Sequence, residues 1–568
     1  MQRAAKHPTA LLVVQRLLLA AALLVLVFYL AVYVAYAANL LQFPFDYDQG
    51  EGFELVDTVL FSQGRWPYID TETYPFYSSN YPPLFHVIAA PFVWLFGPAY
   101  WYGRLLGFLS TLVTAAAIGY AVYREGARRG GQRTYLFVAA LAGLAYLASN
   151  TIYHIGPLFR QHAAMVMFEM LAVVVLAHAP DSANPRRRRA ALVAGALLIV
   201  AAGYTKQLAA VTLAAAAAFL FLRGPLRALL WTALAGVVGA AIFVWMNVAT
   251  GGEWWRQAIL ANVNDLQILQ TVSLFRQWFS LHGFLVVPAA LLALYELYFD
   301  RLSLYSVWFA LALLVNGSAS GTWGGGDSYF ATAIAAVCVL SGIFAARTLT
   351  GGWSFPDNYL SRRLVDPLRR HSPALTAASL LLVPLLYLGY GRAVLHLPTE
   401  EPGFRQIAQL LRVQPNALNG FYDSARTADG QYPGGYASIG HFTSAADAAA
   451  GWHIVELLRQ TDKPVLSEEA GFSVQAGREV ITNPTQLLNL DKKKLYDGGE
   501  LVAMIERQDF GLIILRAQFY PEHILQAIGR AYDHTDVIEL NGFRYFILRP
   551  RPASAAALAT PVTTTRAG

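Results

Sequence analysis

The strongest constraint on how this chain folds is a series of apolar runs, each long enough to cross a bilayer, that recurs up to position 396. A helix needs about 20 apolar residues to cross the bilayer core, and fewer where it packs inside a bundle. Of the 568 residues, 56% are hydrophobic and 14% are charged, whereas soluble domains carry roughly 25% charged residues. The sequence therefore predicts a polytopic α-helical membrane bundle of about eleven spans. The candidate runs are residues 10–37, 101–123, 134–149, 162–179, 190–204, 206–222, 226–249, 283–299, 302–316, 328–346 and 374–395.

Arginine clusters between these runs predict how the spans are oriented in the membrane. Short basic loops favour the cytoplasm, and eleven spans with a cytoplasmic N-terminus put every cluster there. The run from Pro82 to Phe96 would break this parity as a span, so we predict an interfacial helix over residues 82–97. Most of the net charge of +6 lies in the clusters, which indicates topology rather than nucleic-acid binding. The clusters are Arg124 to Arg133, Arg186 to Arg189, Arg223 with Arg227, Arg301, and Arg347 to Arg370.

Two further features define the class of protein. The first run follows basic Arg3 and Lys6 and is about twice as long as the core of a signal peptide, so we interpret it as a retained first span. The single cysteine, Cys338, excludes an intrachain disulfide and a Cys-rich metal site. We therefore expect a multi-pass protein of the plasma membrane.

The character of the sequence changes after position 396, which ends the predicted transmembrane domain 1–396. Residues 397–550 mix helix-like stretches with short β-rich runs, which predicts a small α/β domain. Span parity puts this domain outside the cytoplasm. The tail 551–568 is rich in Ala, Thr and Pro, so we expect it to be disordered. The helix-like stretches are 404–411, 445–458 and 522–531, and the β-rich runs are 464–467, 510–515 and 543–548.

An acidic loop, residues 38–81, follows the first span and contains Asp46, Asp48, Glu51 and Glu54. Carboxylates beside a membrane are costly unless they have partners or a function. A carboxylate near a reacting hydroxyl can serve as a general base, and a pair can divide roles or bind a metal. Asp48 and Glu51 are three positions apart, so they share a face if the loop is helical there. A solvated loop without function fits the spacing equally well.

A second candidate element is the segment Tyr81-Pro82-Pro83. The prolines fix an extended approach to a helix start, and a helix N-terminus at a membrane surface can bind an anion. A plain turn with a helix cap is the alternative. A glycine-rich segment that ends at Asp327 lets backbone approach a ligand closely, but it lacks the Lys-Ser/Thr of a phosphate-binding loop.

Cationic side chains lie at the predicted outer ends of two spans. Lys206 with Gln207, and Arg160 with His162, can hold the oxygens of a lipid phosphate. Anchoring to headgroups without a specific role is the alternative. We predict a long outer loop over residues 251–282, which is rich in Trp, Gln and Asn and fits either an amphipathic interface segment or a sugar-stacking surface.

In chain order, these pieces resemble the membrane C-type glycosyltransferases (GT-C fold). They are most similar to bacterial members related to protein O-mannosyltransferases and lipid A aminoarabinose transferase. The resemblance covers nearly the whole chain. The matching pieces are Asp48-Gln49-Gly50-Glu51-Gly52, Asn80-Tyr81-Pro82-Pro83-Leu84, Gly103-Arg104-Leu105-Leu106, Thr205-Lys206-Gln207, Gly325-Gly326-Asp327-Ser328-Tyr329-Phe330, Pro464 to Gly471 and Gly477-Arg478.

The resemblance implies a polyprenyl-phosphate sugar donor and inverting transfer to a hydroxyl of a glycan, lipid or protein acceptor on the outer face. It implies Asp48 as the general base, with Glu51 as its partner or alternate. Lys206 and Arg160 are the candidates for holding the leaving phosphate. A flippase for a lipid-linked sugar is the alternative function, because it shares the bundle and the cations but needs no ionisable base. An assembly protein whose outer domain binds a partner is a second alternative.

The sequence departs from the family pattern at two positions. Gln161-His162 stands where many relatives have an acid, and Tyr81 stands where some have a lysine. No metal ligand is assigned, and the first departure leaves a divalent cation or a second acid open. The second departure implies that the phosphate clamp is built differently.

Overall fold

The computed structural model describes residues 9–127, 132–369, 372–394, 397–398, 401–412 and 441–552. The predicted domain boundary at 396, and the predicted tail from residue 553 onward, lie outside the described residues. The described chain is mostly helical up to residue 394. Its helices there are α1 (Thr9–Gln42), α2 (Glu51–Ser62), α3 (Leu84–Phe96), α4 (Trp101–Ala127), α5 (Gln132–Leu147), α6 (Asn150–Ile155), α7 (Gln161–Leu176), α8 (Pro185–Thr205), α9 (Ala210–Arg223), α10 (Pro225–Ala249), α11 (Ile268–Phe299), α12 (Leu304–Leu311), α13 (Gly317–Ala319), α14 (Ala331–Thr350), α15 (Asp366–Arg369) and α16 (Ser372–Ala393).

Each of the eleven predicted runs coincides with helix. In the part of the chain that the structure describes, six helices are long and apolar enough to cross a membrane by length and composition: α1, α4, α8, α10, α11 and the segment Asp327–Thr350 that contains α14. The other five runs coincide with shorter apolar helices of 10–17 residues, so eleven spans remains a prediction. The predicted break between the fifth and sixth runs is present at Lys206, whose extended backbone separates α8 from a 3₁₀ turn, Gln207–Ala209, that leads into α9.

Residues 251–282 are only partly a loop, which corrects the sequence analysis. Helix α11 begins at Ile268. Its first half buries Leu274, Trp278 and Leu281 at helical spacing and leaves polar side chains between them exposed. Hydropathy detected only the more apolar second half, so the predicted run began too late.

Helix α3 is the apolar run that parity excluded from the spans. It buries Phe85, His86 and Ala89 and exposes apolar side chains at its far end, where Leu95 is 74% exposed. An apolar helix with one open face fits a membrane interface. Its placement there remains a prediction.

The C-terminal region carries a four-stranded sheet of order β1-β2-β4-β3. Strands β1 and β2 are parallel, and the other two pairs are antiparallel. Three strands match the predicted β-rich runs. The remaining strand, β3, was missed because an edge strand with mostly exposed polar side chains lacks an apolar signal. The strands are β1 (Val465–Ser467), β2 (Leu512–Leu515), β3 (Tyr532–Leu540) and β4 (Phe543–Pro550), and the helices are α17 (Phe404–Leu411), α18 (Ala445–Arg459), α19 (Ala470–Ala476), α20 (Pro484–Lys492), α21 (Gly499–Glu506) and α22 (Glu522–Ala531).

The C-terminal region docks on the end of the bundle that carries the acidic loop. Asn541 donates to the backbone carbonyl of Tyr47 at 3.2 Å, and Asn483 donates to that of Ser78 at 3.1 Å. The acidic loop is therefore held between the bundle and the C-terminal region.

Candidate active site

Glu51 fixes the acidic loop from the inside. Its fully buried carboxylate pairs with Arg104 through two contacts, Nη2 to Oε2 at 2.8 Å and Nε to Oε1 at 3.0 Å. The backbone N–H groups of Phe159 and Tyr47 donate to the same two oxygens. Burial alone would raise the pKa of Glu51, but Arg104 and these donors hold that pKa below its usual value. Both oxygens are occupied, and Arg104 further ties down the loop through the carbonyls of Leu40, Phe43 and Phe45.

Two glycines allow this loop to pack closely. Gly50 precedes α2 with φ of 97°, and a Cβ there would lie 2.5 Å from Nη1 of Arg160. A Cβ on Gly52 would lie 2.7 Å from Oδ1 of Asp46 and 2.8 Å from the backbone nitrogen of Gly471. A side chain at Gly50 would strain the left-handed backbone and crowd Arg160. A side chain at Gly52 would have no space.

The Asp48 side chain has different partners from that of Glu51. Helix α2 begins at Glu51, so Asp48 precedes it and the two carboxylates do not share a helical face. Oδ2 of Asp48 lies 3.2 Å from Nη2 of Arg160, while its buried Oδ1 has no hydrogen-bond partner among the described residues. Burial raises the pKa of Asp48, and Arg160 opposes that rise. Asp48 thus has one carboxylate oxygen in an ion pair and one without a hydrogen-bond donor among the described residues.

Lys206 is the only lysine between positions 7 and 462, and it is buried between α8 and α9. Its Nζ lies 2.6 Å from Nε2 of His162 and 4.6 Å from the ring centroid of Tyr81. Burial, assisted by Arg160, lowers the pKa of Lys206 to about 7. Tyr81 stands where some members of the family have a lysine. Here its ring face stabilises the ammonium of Lys206 through a cation–π contact.

Two neighbouring cavities meet at these cations. The larger has a volume of 460 Å³ and the smaller 60 Å³, and both are lined by Tyr81, Arg160 and Lys206. The structure thus brings together seven of the nine predicted site residues, whereas Glu51 and Pro82 line neither cavity. Asp48, His162 and Asp327 line the smaller cavity only, and Gln207 lines the larger only.

Glu54 is a site residue that sequence reasoning did not select. Its carboxylate accepts from Nε2 of Gln161 at 2.5 Å and from Nη1 of Arg160 at 3.4 Å, and it lies 3.3 Å from Nε2 of His86. Burial raises the pKa of Glu54 to about 8, against the influence of Arg160. Helix α2 thus places an acidic side chain beside Arg160, although Gln161-His162 follows Arg160 in the sequence. In the sequence, the only indication that Glu54 belongs to the site is its position in the acidic loop.

The C-terminal region also supplies lining residues that the sequence could not have indicated. Asn483, Thr485 and Asn489 line the larger cavity together with Trp323. Trp254, Trp255 and Trp278 are not among the residues that line this cavity, so the cavity does not support the sugar-stacking alternative for residues 251–282. Trp254, for example, is buried against Tyr68.

The smaller cavity is lined by two histidines and two aspartates, His154, His162, Asp48 and Asp327. His154 and Asp327 approach to 4.0 Å at the smaller cavity. Among the described residues, no group of three or more His, Cys, Asp or Glu is arranged to hold a metal. The structure therefore names no ligand set for a divalent cation.

No family model matches the sequence, and no curated protein matches it. A solved structure of ArnT from Cupriavidus metallidurans in the apo state is similar, with a TM-score of 0.52 and 14% identity over 94% of this chain and 98% of that one. The structure of the same enzyme bound to undecaprenyl phosphate is also similar, with a TM-score of 0.50 and 14% identity over 92% of this chain and 97% of that one. The chain has the GT-C fold. At this identity the likeness to ArnT, a lipid A aminoarabinose transferase, concerns the fold, and at that level the resemblance drawn from the sequence is confirmed. A weaker likeness is to the oligosaccharyltransferase of Archaeoglobus fulgidus, with a TM-score of 0.44 and 11% identity over 91% of this chain and 74% of that one.

Proposed function

We propose that this GT-C protein transfers a sugar from a polyprenyl-phosphate donor to a hydroxyl acceptor, with inversion, on the outer face of the membrane. The observation that carries the proposal is the buried, unpartnered Oδ1 of Asp48 on a cavity also lined by Lys206 and Arg160. A carboxylate oxygen without a donor suits a proton acceptor, and the cations suit a phosphate. ArnT, which shares the fold, has been solved with undecaprenyl phosphate bound.

The reaction follows from these groups. The acceptor oxygen attacks the anomeric carbon as Asp48 takes its proton. The bond from that carbon to the phosphate oxygen breaks on the opposite face, and polyprenyl phosphate leaves. Lys206 and Arg160 stabilise the charge that develops on the leaving phosphate. Inversion results because the two oxygens are in line.

The two loop carboxylates take different roles in this proposal. Glu51 is already occupied by Arg104 and two backbone donors, so it has no oxygen left to accept a proton. We therefore assign the base to Asp48 and give Glu51 the role of positioning the loop.

Glu54 complements the phosphate clamp. With its pKa raised to about 8 by burial, the carboxyl is mostly protonated at neutral pH. A neutral carboxyl beside Arg160 does not repel an incoming phosphate and can donate a hydrogen bond to it. The acid thus lies at the clamp without cancelling its positive charge.

The outer location is supported by the arrangement of charges along single helices. Helix α8 begins with Arg186 to Arg189 and ends beside Lys206. The segment containing α14 begins at Asp327 and carries Arg347 in its last turn. Basic clusters thus lie at the helix ends opposite the site, and such clusters favour the cytoplasm. The N-terminus and the C-terminal region then lie on opposite sides of the membrane.

The test follows radiolabelled sugar from polyprenyl-phosphate donors in membranes that contain the wild type, Asp48→Asn or Glu522→Gln. Glu522 is exposed on α22 and serves as the matched acid control. We expect the label to leave the lipid in the wild type and the control but not in Asp48→Asn. Movement of intact lipid-linked sugar between leaflets, with no release from any donor, would instead identify a flippase.

A further inference from the structure

We infer that the larger cavity binds the sugar ring of the donor and selects an uncharged sugar through a wall of amide side chains, part of which comes from the C-terminal region. This inference rests on the proposed function and adds the class of sugar. The wall consists of Gln49, Asn80, Gln207, Asn262, Asn264, Asn483 and Asn489.

The sizes of the two cavities assign the ring to the larger one. The smaller cavity, at 60 Å³, has room for a few waters or a reacting hydroxyl but not for a sugar ring. The larger cavity, at 460 Å³, falls within the range of about 300–1,000 Å³ of small-molecule sites. A ring attached to a phosphate between Lys206 and Arg160 therefore has space only in the larger cavity, which adjoins the smaller cavity that Asp48 lines.

The amide wall presents hydrogen-bond acceptors. The NH₂ groups of Gln207, Asn262 and Asn264 each donate to a backbone carbonyl at 3.0 Å, those of Ala258, Asn80 and Trp323 respectively. Each NH₂ thus has at least one N–H directed to the backbone, and the side-chain oxygen of each amide is an acceptor for a ligand. A row of such oxygens suits the O–H donors of a sugar.

Helix α20 contributes a wall residue with a buried acceptor that has no hydrogen-bond partner among the described residues. Asn489 is buried, and its Oδ1 has no hydrogen-bond partner among the described residues, while its Nδ2 donates to Gln486 at 3.2 Å. Thr485 lies one helical turn earlier on the same face. Gln486 fixes the helix to the bundle by donating to the backbone carbonyl of Gln257 at 2.7 Å. A buried acceptor without a donor costs free energy that a ligand hydroxyl recovers.

The charges around the cavity exclude sugars that carry their own charge. Arg160 and Lys206 repel an ammonium, and Glu54 is the one carboxylate among the described lining residues. Glu54 is held by Gln161 and Arg160, which leaves it poorly placed to recruit a cation. A carboxylate on the sugar would face the amide oxygens of the wall, because the donor phosphate engages Arg160 and Lys206 in the proposed complex. The wall therefore favours a neutral hexose or pentose.

The experiment measures binding to the full-length protein in lipid nanodiscs at about pH 6.5, where an amino group is protonated. The probes are decaprenyl phosphate alone and decaprenyl phosphate linked to mannose, glucosamine or glucuronic acid. The ratio of the Kd of the bare lipid phosphate to that of each sugar-linked lipid isolates the contribution of the sugar. We expect a ratio well above one for mannose only.

The variants test the wall itself. Asn489→Leu, and independently Thr485→Val, should lower the mannose ratio by about threefold to tenfold, the size of one hydrogen bond, and leave the Kd of bare decaprenyl phosphate unchanged. Gln526→Leu, an exposed amide on α22, should change neither. A mannose ratio unaffected by both wall variants would overturn the inference, as would equal ratios for the three sugars. Failure of bare decaprenyl phosphate to bind at all would count against the proposed function instead.

Discussion

Nζ of Lys206 lies 2.6 Å from Nε2 of His162. A charged lysine can only donate in this contact, so it requires a neutral imidazole whose Nε2 carries no proton. The pKa of Lys206 is lowered to about 7, mainly by burial. The ammonium needed to bind a phosphate is then lost as the pH rises through that pKa. We predict that the Kd for decaprenyl phosphate increases as the pH is raised from 6 to 9.

Two variants separate this effect from general electrostatics. Lys206→Ala should weaken binding at pH 6 and remove most of the pH dependence. Lys463→Ala, which removes an exposed lysine of the C-terminal region, should change neither. A pH profile that is the same in Lys206→Ala as in the wild type would show that another group governs phosphate binding.

Exchanging each loop carboxylate for its amide should separate its structural and chemical roles. Glu51→Gln leaves Arg104 buried without its counter-charge, which costs about 3–5 kcal/mol of folding free energy. Asp48→Asn should leave the melting temperature in detergent near that of the wild type and lower kcat by about 10²–10⁴, the usual contribution of a general base. Transfer by Asp48→Asn at the wild-type rate would exclude Asp48 as the base.

The base should also control the acid limb of the pH–rate profile. At saturating donor, kcat should fall as the pH is lowered through the pKa of Asp48, which burial places above that of an ordinary aspartate. Because Arg160 lowers this pKa, Arg160→Gln should move the acid limb to higher pH. Arg160→Lys keeps the charge and should move it less. A limb that stays fixed in both variants, or moves to lower pH, would assign it to another group.

Gly50 offers a test of loop geometry. Gly50→Ala forces an L-residue into a left-handed backbone and places its Cβ against the guanidinium of Arg160. Gly64→Ala is a matched control, because Gly64 has φ of 70° but open space around its Cβ. Both should cost about 1–2 kcal/mol through the backbone, and only Gly50→Ala should lose transfer. Equal activity of the two variants would mean that Arg160 can shift without consequence.

The sequence predicts much of the bundle because apolar runs and basic clusters report directly on membrane helices. The sequence also identifies Asp48, Arg160 and Lys206 as site candidates, because charged residues stand out at the ends of apolar runs. It does not separate Asp48 from Glu51. That distinction depends on Arg104, which lies 53 positions from Glu51.

The remaining site residues were missed for a different physical reason. Glu54 resembles its acidic neighbours in the sequence and gains a role only through Gln161 and Arg160. Asn489 is an ordinary helical asparagine until the fold brings α20 over the bundle. Neutral amides carry no pattern of charge or hydropathy, so only the tertiary structure reveals a wall of them.

The close packing at Gly52 and Gly471 has a consequence for when the protein becomes active during its synthesis. Gln49 donates to Thr485 across 436 positions of sequence, so the carboxylate loop made near the start of translation is held by one of the last parts made. A nascent chain that ends before α20 contains Asp48 but lacks Asn483, Thr485 and Asn489, which line the larger cavity. We therefore expect the proposed transfer to begin only after α20 has been made and has docked on the bundle.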